Sequence, residues 1–153
     1  MTADEVALVQ SSFAQVAPIA DTASALFYGR LFETNPELRP LFAEDMTEQR
    51  RKLIQMLAMV VGGLSRPETV LPAAGALGVR HVAYGVTPEH YAPVGAALLW
   101  TLEQGLGEHF TPEVRSAWTS AYGLLSGTMI QEAYPHPATI AVPADPAAGE
   151  GLH

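Results

Sequence analysis

The chain contains no cysteine. That removes disulfides, a thiolate nucleophile and every cysteine-ligated zinc or iron–sulfur centre. Basic residues are scarce: 8 Lys and Arg stand against 16 Asp and Glu, a net charge of −8. A protein that reads a phosphate backbone needs a basic stripe, so no nucleic-acid partner is expected. No uninterrupted apolar run approaches the ~18 residues of a membrane span. The longest candidates break at Gly62-Gly63 and at Gly95, so no membrane partner is expected either. Familiar enzyme signatures are missing too. There is no HExxH pair, no G-x-S-x-G elbow and no glycine-rich phosphate loop. The first residues, Met1 to Glu5, are acidic. A secretory signal starts basic and then turns apolar, so a cytoplasmic location is the expectation.

What the chain has is apolar residues at helical spacing. Of its 153 residues, 48% are hydrophobic, enough for one continuous core in one domain. Thr2 and Glu5 form a capping box ahead of Val6, Val9, Phe13 and Val16, and Pro18 ends that segment. Asp21 is expected to cap a second helix bearing Phe27, Tyr28, Leu31 and Phe32. Asn35-Pro36 breaks it, and Pro36 to Phe42 reads as a short helical turn. Thr47 is expected to cap a long helix with Leu53, Met56, Leu57, Val60 and Leu64 on one face.

Pro67, Pro72, Gly75 and Gly78 interrupt the next stretch, which predicts a short or loosely wound helix ending near His81. Thr87-Pro88-Glu89 and Thr111-Pro112-Glu113 repeat one device: a cap, a proline in the first turn and an acid. They open helices over about Pro88 to Leu106 and Pro112 to Ala133, with Pro93 kinking the first or delaying its start. Tyr134-Pro135 stops the last. From Pro135 to His153 the composition shifts to Pro, Ala and Gly, which predicts a disordered tail. The expected organisation is therefore a helical domain over 1–134 and a tail over 135–153. No run alternates well enough for a strand; the one β-like fragment, Thr139 to Val142, lies between prolines. The fold class is all-α, and packing rules alone leave a bundle or a globin-like arrangement open.

The five histidines are His81, His90, His109, His136 and His153. Taken alone, each reads as a packed or surface residue, and the two in the tail could hold adventitious metal. The ordered set is more specific. Leu26-Phe27-Tyr28-Gly29-Arg30-Leu31-Phe32 is followed by Asn35-Pro36-Glu37-Leu38 and Leu41-Phe42. Gln49-Arg50-Arg51-Lys52-Leu53 and Leu77-Gly78-Val79-Arg80-His81 come next. Pro88-Glu89-His90-Tyr91, Ala117-Trp118 and Ala121-Tyr122-Gly123 close the series. From about Asp4 to Glu132 this series resembles the bacterial single-domain globins and the haem domains of flavohaemoglobins.

The resemblance implies a globin fold of six to eight helices around a pocket for haem b, iron protoporphyrin IX. By position it makes His81 the axial iron ligand and Phe42 the ring packed on the porphyrin face. Tyr28 and Gln49 become the polar residues on the gas side, and Leu53 the apolar residue beside the gas. Tyr91 matches a tyrosine near the proximal histidine. The glutamate that accompanies it in the flavohaemoglobin group has only Glu132 as a counterpart, one residue early, or about 100° around the helix.

Residue chemistry agrees with these roles. Haem needs an apolar slot, one neutral imidazole and a polar handle where gas binds. Gln49 and Leu53 are i, i+4, so a hydrogen-bond donor and an apolar wall share one helix face. O2 takes up partial negative charge at ferrous iron, and a Tyr hydroxyl and a Gln amide both donate to it. CO takes up less. The plainer readings are a core Tyr28, a surface Gln49 and a packing Tyr91. Arg50, Arg51 and Lys52 read either as a solvated face or as partners for haem propionates, with Lys52 placed best.

The first functional expectation is reversible binding of O2, with CO and NO as further ligands. The second is an enzyme, NO dioxygenase. A chain of this length has no room for a reductase domain, so a separate reductase is expected to supply electrons. A gas sensor and a haem-free globin fold rank behind these.

Overall fold

In the computed structural model the described residues are 1–83 and 87–133. Among them are six α-helices and no strand: α1 Ala3–Val16, α2 Ala20–Thr34, α3 Thr47–Gly63, α4 Pro67–Ala83, α5 Tyr91–Leu106 and α6 Pro112–Ala133. The sequence reading of a tail from Pro135, and of the Thr139 to Val142 fragment within it, lies outside the described residues.

Helix α1 starts as its sequence dictates. The Glu5 amide donates to Thr2 Oγ1 at 3.1 Å, and the Thr2 amide donates to Glu5 Oε1 at 2.9 Å. Two other caps differ from expectation. Pro18 opens a 3₁₀ turn, Ala17–Ile19, that runs straight into α2. No residue there takes the extended conformation a capping side chain needs, and Asp21 sits inside the first helical turn instead. At α3, Thr47 is the first helical residue, and it is Asp45 Oδ1 that accepts its amide hydrogen, at 3.0 Å.

The largest correction is α4. It is a continuous helix of 17 residues through Pro72, Gly75 and Gly78. Packing explains why. Helix α4 lies along α6, and a Cβ at Gly75 would fall 2.7 Å from Glu132 Cγ. One at Gly78 would fall 2.7 Å from Met129 Cα. The two glycines let the helix backbones close together, and the apolar packing that results outweighs their weak helix propensity. The helix thereby carries His81 in its last turn.

Pro88–His90 is a 3₁₀ turn, and α5 proper begins at Tyr91. Pro93 delays the α-helix rather than kinking it: it occupies the first turn, where an amide would lack a partner anyway. Gly107, at φ +58°, ends α5 in the left-handed region. Thr111 caps α6 as expected, its Oγ1 accepting from the Val114 amide at 3.2 Å.

Helix α2 packs on α5 and α3, and α1 packs on α6. Val9, Leu31, Ala117 and Trp118 are buried at the centre. The Trp118 indole N–H, buried with them, donates to Ser12 Oγ at 2.8 Å, which satisfies a donor that would otherwise be stranded. Because α3 touches both α2 and α4, it links the elements that carry Tyr28 and His81.

Candidate functional site

The residues expected to act on one ligand fall into two groups. The first joins α2, α3 and the loop between them. Tyr28 is buried on α2, and Gln49 is half-buried in the first turn of α3. Gln49 Nε2 donates to Tyr28 Oη at 3.1 Å. The Tyr28 oxygen thus accepts from the amide while its own proton remains available for donation. Burial pushes the Tyr28 phenol above its ordinary value, against a smaller opposing effect of the Gln49 bond, so the hydroxyl stays protonated at neutral pH.

Aromatic rings fix that hydroxyl in place. Phe42 meets Tyr28 edge-on with centroids 5.6 Å apart, and Phe32 stacks on Tyr28 at 5.9 Å. Phe32 and Phe42 meet edge-on at 5.3 Å, and Phe27 closes on Tyr28 at 4.8 Å. Leu53, one turn beyond Gln49, is half-buried, as is Phe42.

The second group centres on His81, half-buried on α4. Its Nδ1 lies 2.8 Å from the Leu77 carbonyl oxygen. A carbonyl only accepts, so Nδ1 carries the hydrogen and the neutral ring keeps its lone pair on Nε2. Burial holds the imidazole below its ordinary value of 6.5, opposed by the Leu77 bond and assisted by Arg80. The ring is therefore neutral at pH 7. Tyr91, the first residue of α5, is buried.

Two contributors were not assigned roles from sequence. Tyr122 on α6 donates its hydroxyl to the Tyr91 carbonyl at 2.6 Å, anchoring the start of α5. Gly95 makes room for it: a Cβ there would lie 2.7 Å from Tyr122 Cε2. The Ala121-Tyr122-Gly123 segment was part of the resemblance, but only the fold reveals its partner. Arg39 is the other. Its guanidinium donates to the carbonyls of Ala43 and Glu44, each at 2.9 Å.

The basic run on α3 separates. Arg50 pairs with Asp21 at 2.8 Å and also donates to Ser24 Oγ. Arg51 pairs with Glu48. Lys52 is exposed and belongs to none of the ion pairs among the described residues. Glu132 is exposed in the last turn of α6, its stem against Gly75.

The stretch 25–129, which holds every one of these contacts except those at the chain's first helix and at Asp21, Ser24 and Glu132, matches the globin family model. The chain belongs to the globin family. It is 34% identical over 127 residues to a flavohemoprotein of Bordetella bronchiseptica, covering 81% of this chain and 32% of that protein. A flavohemoprotein of Deinococcus radiodurans is 32% identical over 133 residues, covering 85% of this chain and 33% of the relative. The chain thus spans about a third of these curated relatives.

Among solved structures, a bacterial globin from Campylobacter jejuni superposes with a TM-score of 0.76 at 23% identity, covering 86% of this chain and 96% of that one. A hexacoordinated heme protein from an anhydrobiotic tardigrade gives 0.80 at 14% identity, covering 87% and 95%. At these identities the two structures establish the shared fold. No helix among the described residues is long and apolar enough to cross a membrane.

Proposed function

We propose that this globin holds haem b between α3 and α4 and uses it to bind O2 reversibly, with CO and NO as further ligands. The site's donor set fits that group. His81 offers a neutral ring with its lone pair on Nε2, the state an axial ligand requires. Phe42 and Leu53 offer half-buried apolar surface, and Lys52, in no ion pair among the described residues, offers an exposed cation for a propionate. When bound, ferrous haem supplies reversible coordination of a diatomic gas.

The observation that carries the O2 reading is the bond from Gln49 to Tyr28. It turns the phenolic proton away from Gln49 and toward whatever sits beside the pair. A second Gln49 amide hydrogen remains to be donated to the same ligand. Both donors favour a ligand that gathers negative charge, and O2 does so more than CO. In a water-poor pocket, each bond contributes on the order of 1 kcal/mol or more. Tyr91, whose carbonyl accepts from the Tyr122 hydroxyl, would stand on the same side of the haem as His81.

The test is stopped-flow measurement of gas dissociation from the haem-loaded protein. Tyr28→Phe is expected to speed O2 release well beyond CO release. Parallel changes for both gases would overturn the O2 reading.

A second reading is NO dioxygenase activity, in which O2 and NO leave as nitrate and the iron is left ferric. The relatives named flavohemoprotein favour it. Repeated turnover needs ferric iron returned to the ferrous state, and we assign that electron supply to a reductase.

A further inference from the structure

We propose that Arg39 is a positioning residue for gas binding: it locks the loop that carries Phe42 and, through the aromatic rings, sets the Tyr28 hydroxyl. This rests on the O2 reading given above.

Arg39 lies in the 3₁₀ turn Pro36–Leu41 and is half-buried. Its Nη1 donates to the Ala43 carbonyl at 2.9 Å and, more weakly, to the Phe42 carbonyl at 3.4 Å. Nη2 donates to the Glu44 carbonyl at 2.9 Å. The Phe42 amide returns a bond to the Arg39 carbonyl at 3.1 Å. Three successive loop carbonyls are thus gathered by one planar cation, and the backbone at Phe42 is tied from both sides. The guanidinium carbon also sits 5.2 Å from the Phe32 ring centroid, a cation–π contact.

The clamp therefore grips two of the three rings around Tyr28 at once. Phe42 is held through its backbone and Phe32 through its face, and these two rings pack on Tyr28 and on each other. Exposed loops ordinarily fluctuate, and a loose Phe42 would free the ring that restrains the phenol. A hydrogen bond to a small ligand weakens steeply with angle and distance. Arg39 touches no ligand in this scheme; it acts through Phe42 and Phe32.

Lysine does not replace it. An ammonium has three donors at one point and no flat face, so it cannot span three carbonyls and cover a ring together.

The test uses Arg39→Ala and Arg39→Lys in the haem-loaded protein. Both variants should release O2 faster, by about 3- to 10-fold, with CO release changed less than about 2-fold, because loss of part of one bond's free energy falls mainly on the more charged ligand. Lysine is expected not to rescue. In the ferrous CO form, the NMR cross-peaks between the Tyr28 and Phe42 rings should weaken in both variants while the thermal midpoint of Arg39→Lys stays near wild type. Unchanged O2 release in either folded variant, or equal acceleration of both gases, would overturn the proposal. If the wild-type chain takes up no haem, the O2 reading fails by itself. The ring cross-peaks, measured on the chain as purified, still report on the clamp, and their persistence in Arg39→Ala would overturn it.

Discussion

Gln49 donates an amide hydrogen to the hydroxyl oxygen of Tyr28 at 3.1 Å, joining the start of α3 to the middle of α2. The bond gives the two residues different tasks. Under the proposed O2 reading, Tyr28 presents its phenolic proton to the ligand, and Gln49, beyond its own donation, sets where that proton points.

Coupling follows from this division. Tyr28→Phe and Gln49→Leu should each raise the O2 off-rate by roughly 5- to 30-fold, the equivalent of losing about 1–2 kcal/mol. In a double-mutant cycle the second change should cost clearly less than it does alone, since an unheld or absent phenol leaves its partner little to orient. Strict additivity would mean that the two side chains act on the ligand independently.

Of the two proposed gas-side donors, Tyr28 and Gln49, neither changes charge between about pH 5 and 8. Gln49 does not titrate, and burial holds the Tyr28 proton beyond the ordinary tyrosine range. A histidine at this position would ionise near pH 6.5 and seek water. Autoxidation of the oxygenated protein, followed from about pH 8 to 5, should therefore show an added acid-driven rise in Gln49→His. Identical profiles would mean that position 49 does not govern proton access. The same buried phenol sets a sign at high pH. Above about pH 10 the unfolded chain loses tyrosine protons that Tyr28 keeps when folded, so stability falls as pH rises there.

The glycines divide by what surrounds them. Gly78→Ala would press a methyl group against the Met129 backbone, and about 1–3 kcal/mol of destabilisation is expected from such overpacking. Gly75→Ala meets only the flexible Glu132 stem and should cost less. Gly62→Ala, with nothing within 4 Å, should gain about 0.4–1 kcal/mol from reduced freedom in the unfolded chain. Urea unfolding of the three variants checks the order.

These glycines also mark where sequence reasoning stops. The capping box at Thr2 and the cap at Thr111 were legible because donor and acceptor lie three residues apart. Gly75 and Gly78 read as breaks because what they accommodate, Glu132 and Met129, is more than 50 residues away. Asp21 and Thr47 have capping side chains, but the turns before them set the helix starts. Tyr28, Gln49 and His81 stood out only through resemblance to globins, and no local pattern pairs Tyr28 with Gln49. Arg39 gave no signal, since its acceptors are backbone carbonyls, which any residue supplies.

The NO reading makes a kinetic prediction. Oxygenated protein mixed with one equivalent of NO should give nitrate and ferric haem in one fast turnover and then stall. A generic reductase system should restore turnover. Haem that stays ferrous, with no nitrate formed, would leave reversible O2 binding alone.

The most direct measurement concerns His81, whose Nδ1–H is committed to the Leu77 carbonyl and whose Nε2 keeps the lone pair. Absorption spectra of haem-loaded wild type and His81→Gly should be recorded with dithionite, with CO, and with added imidazole. The expected result is that His81→Gly loses the wild-type ferrous-CO spectrum and that imidazole restores it by occupying the vacated position. A His81→Gly protein that keeps haem with an unchanged ferrous-CO spectrum, without imidazole, would contradict axial ligation by His81.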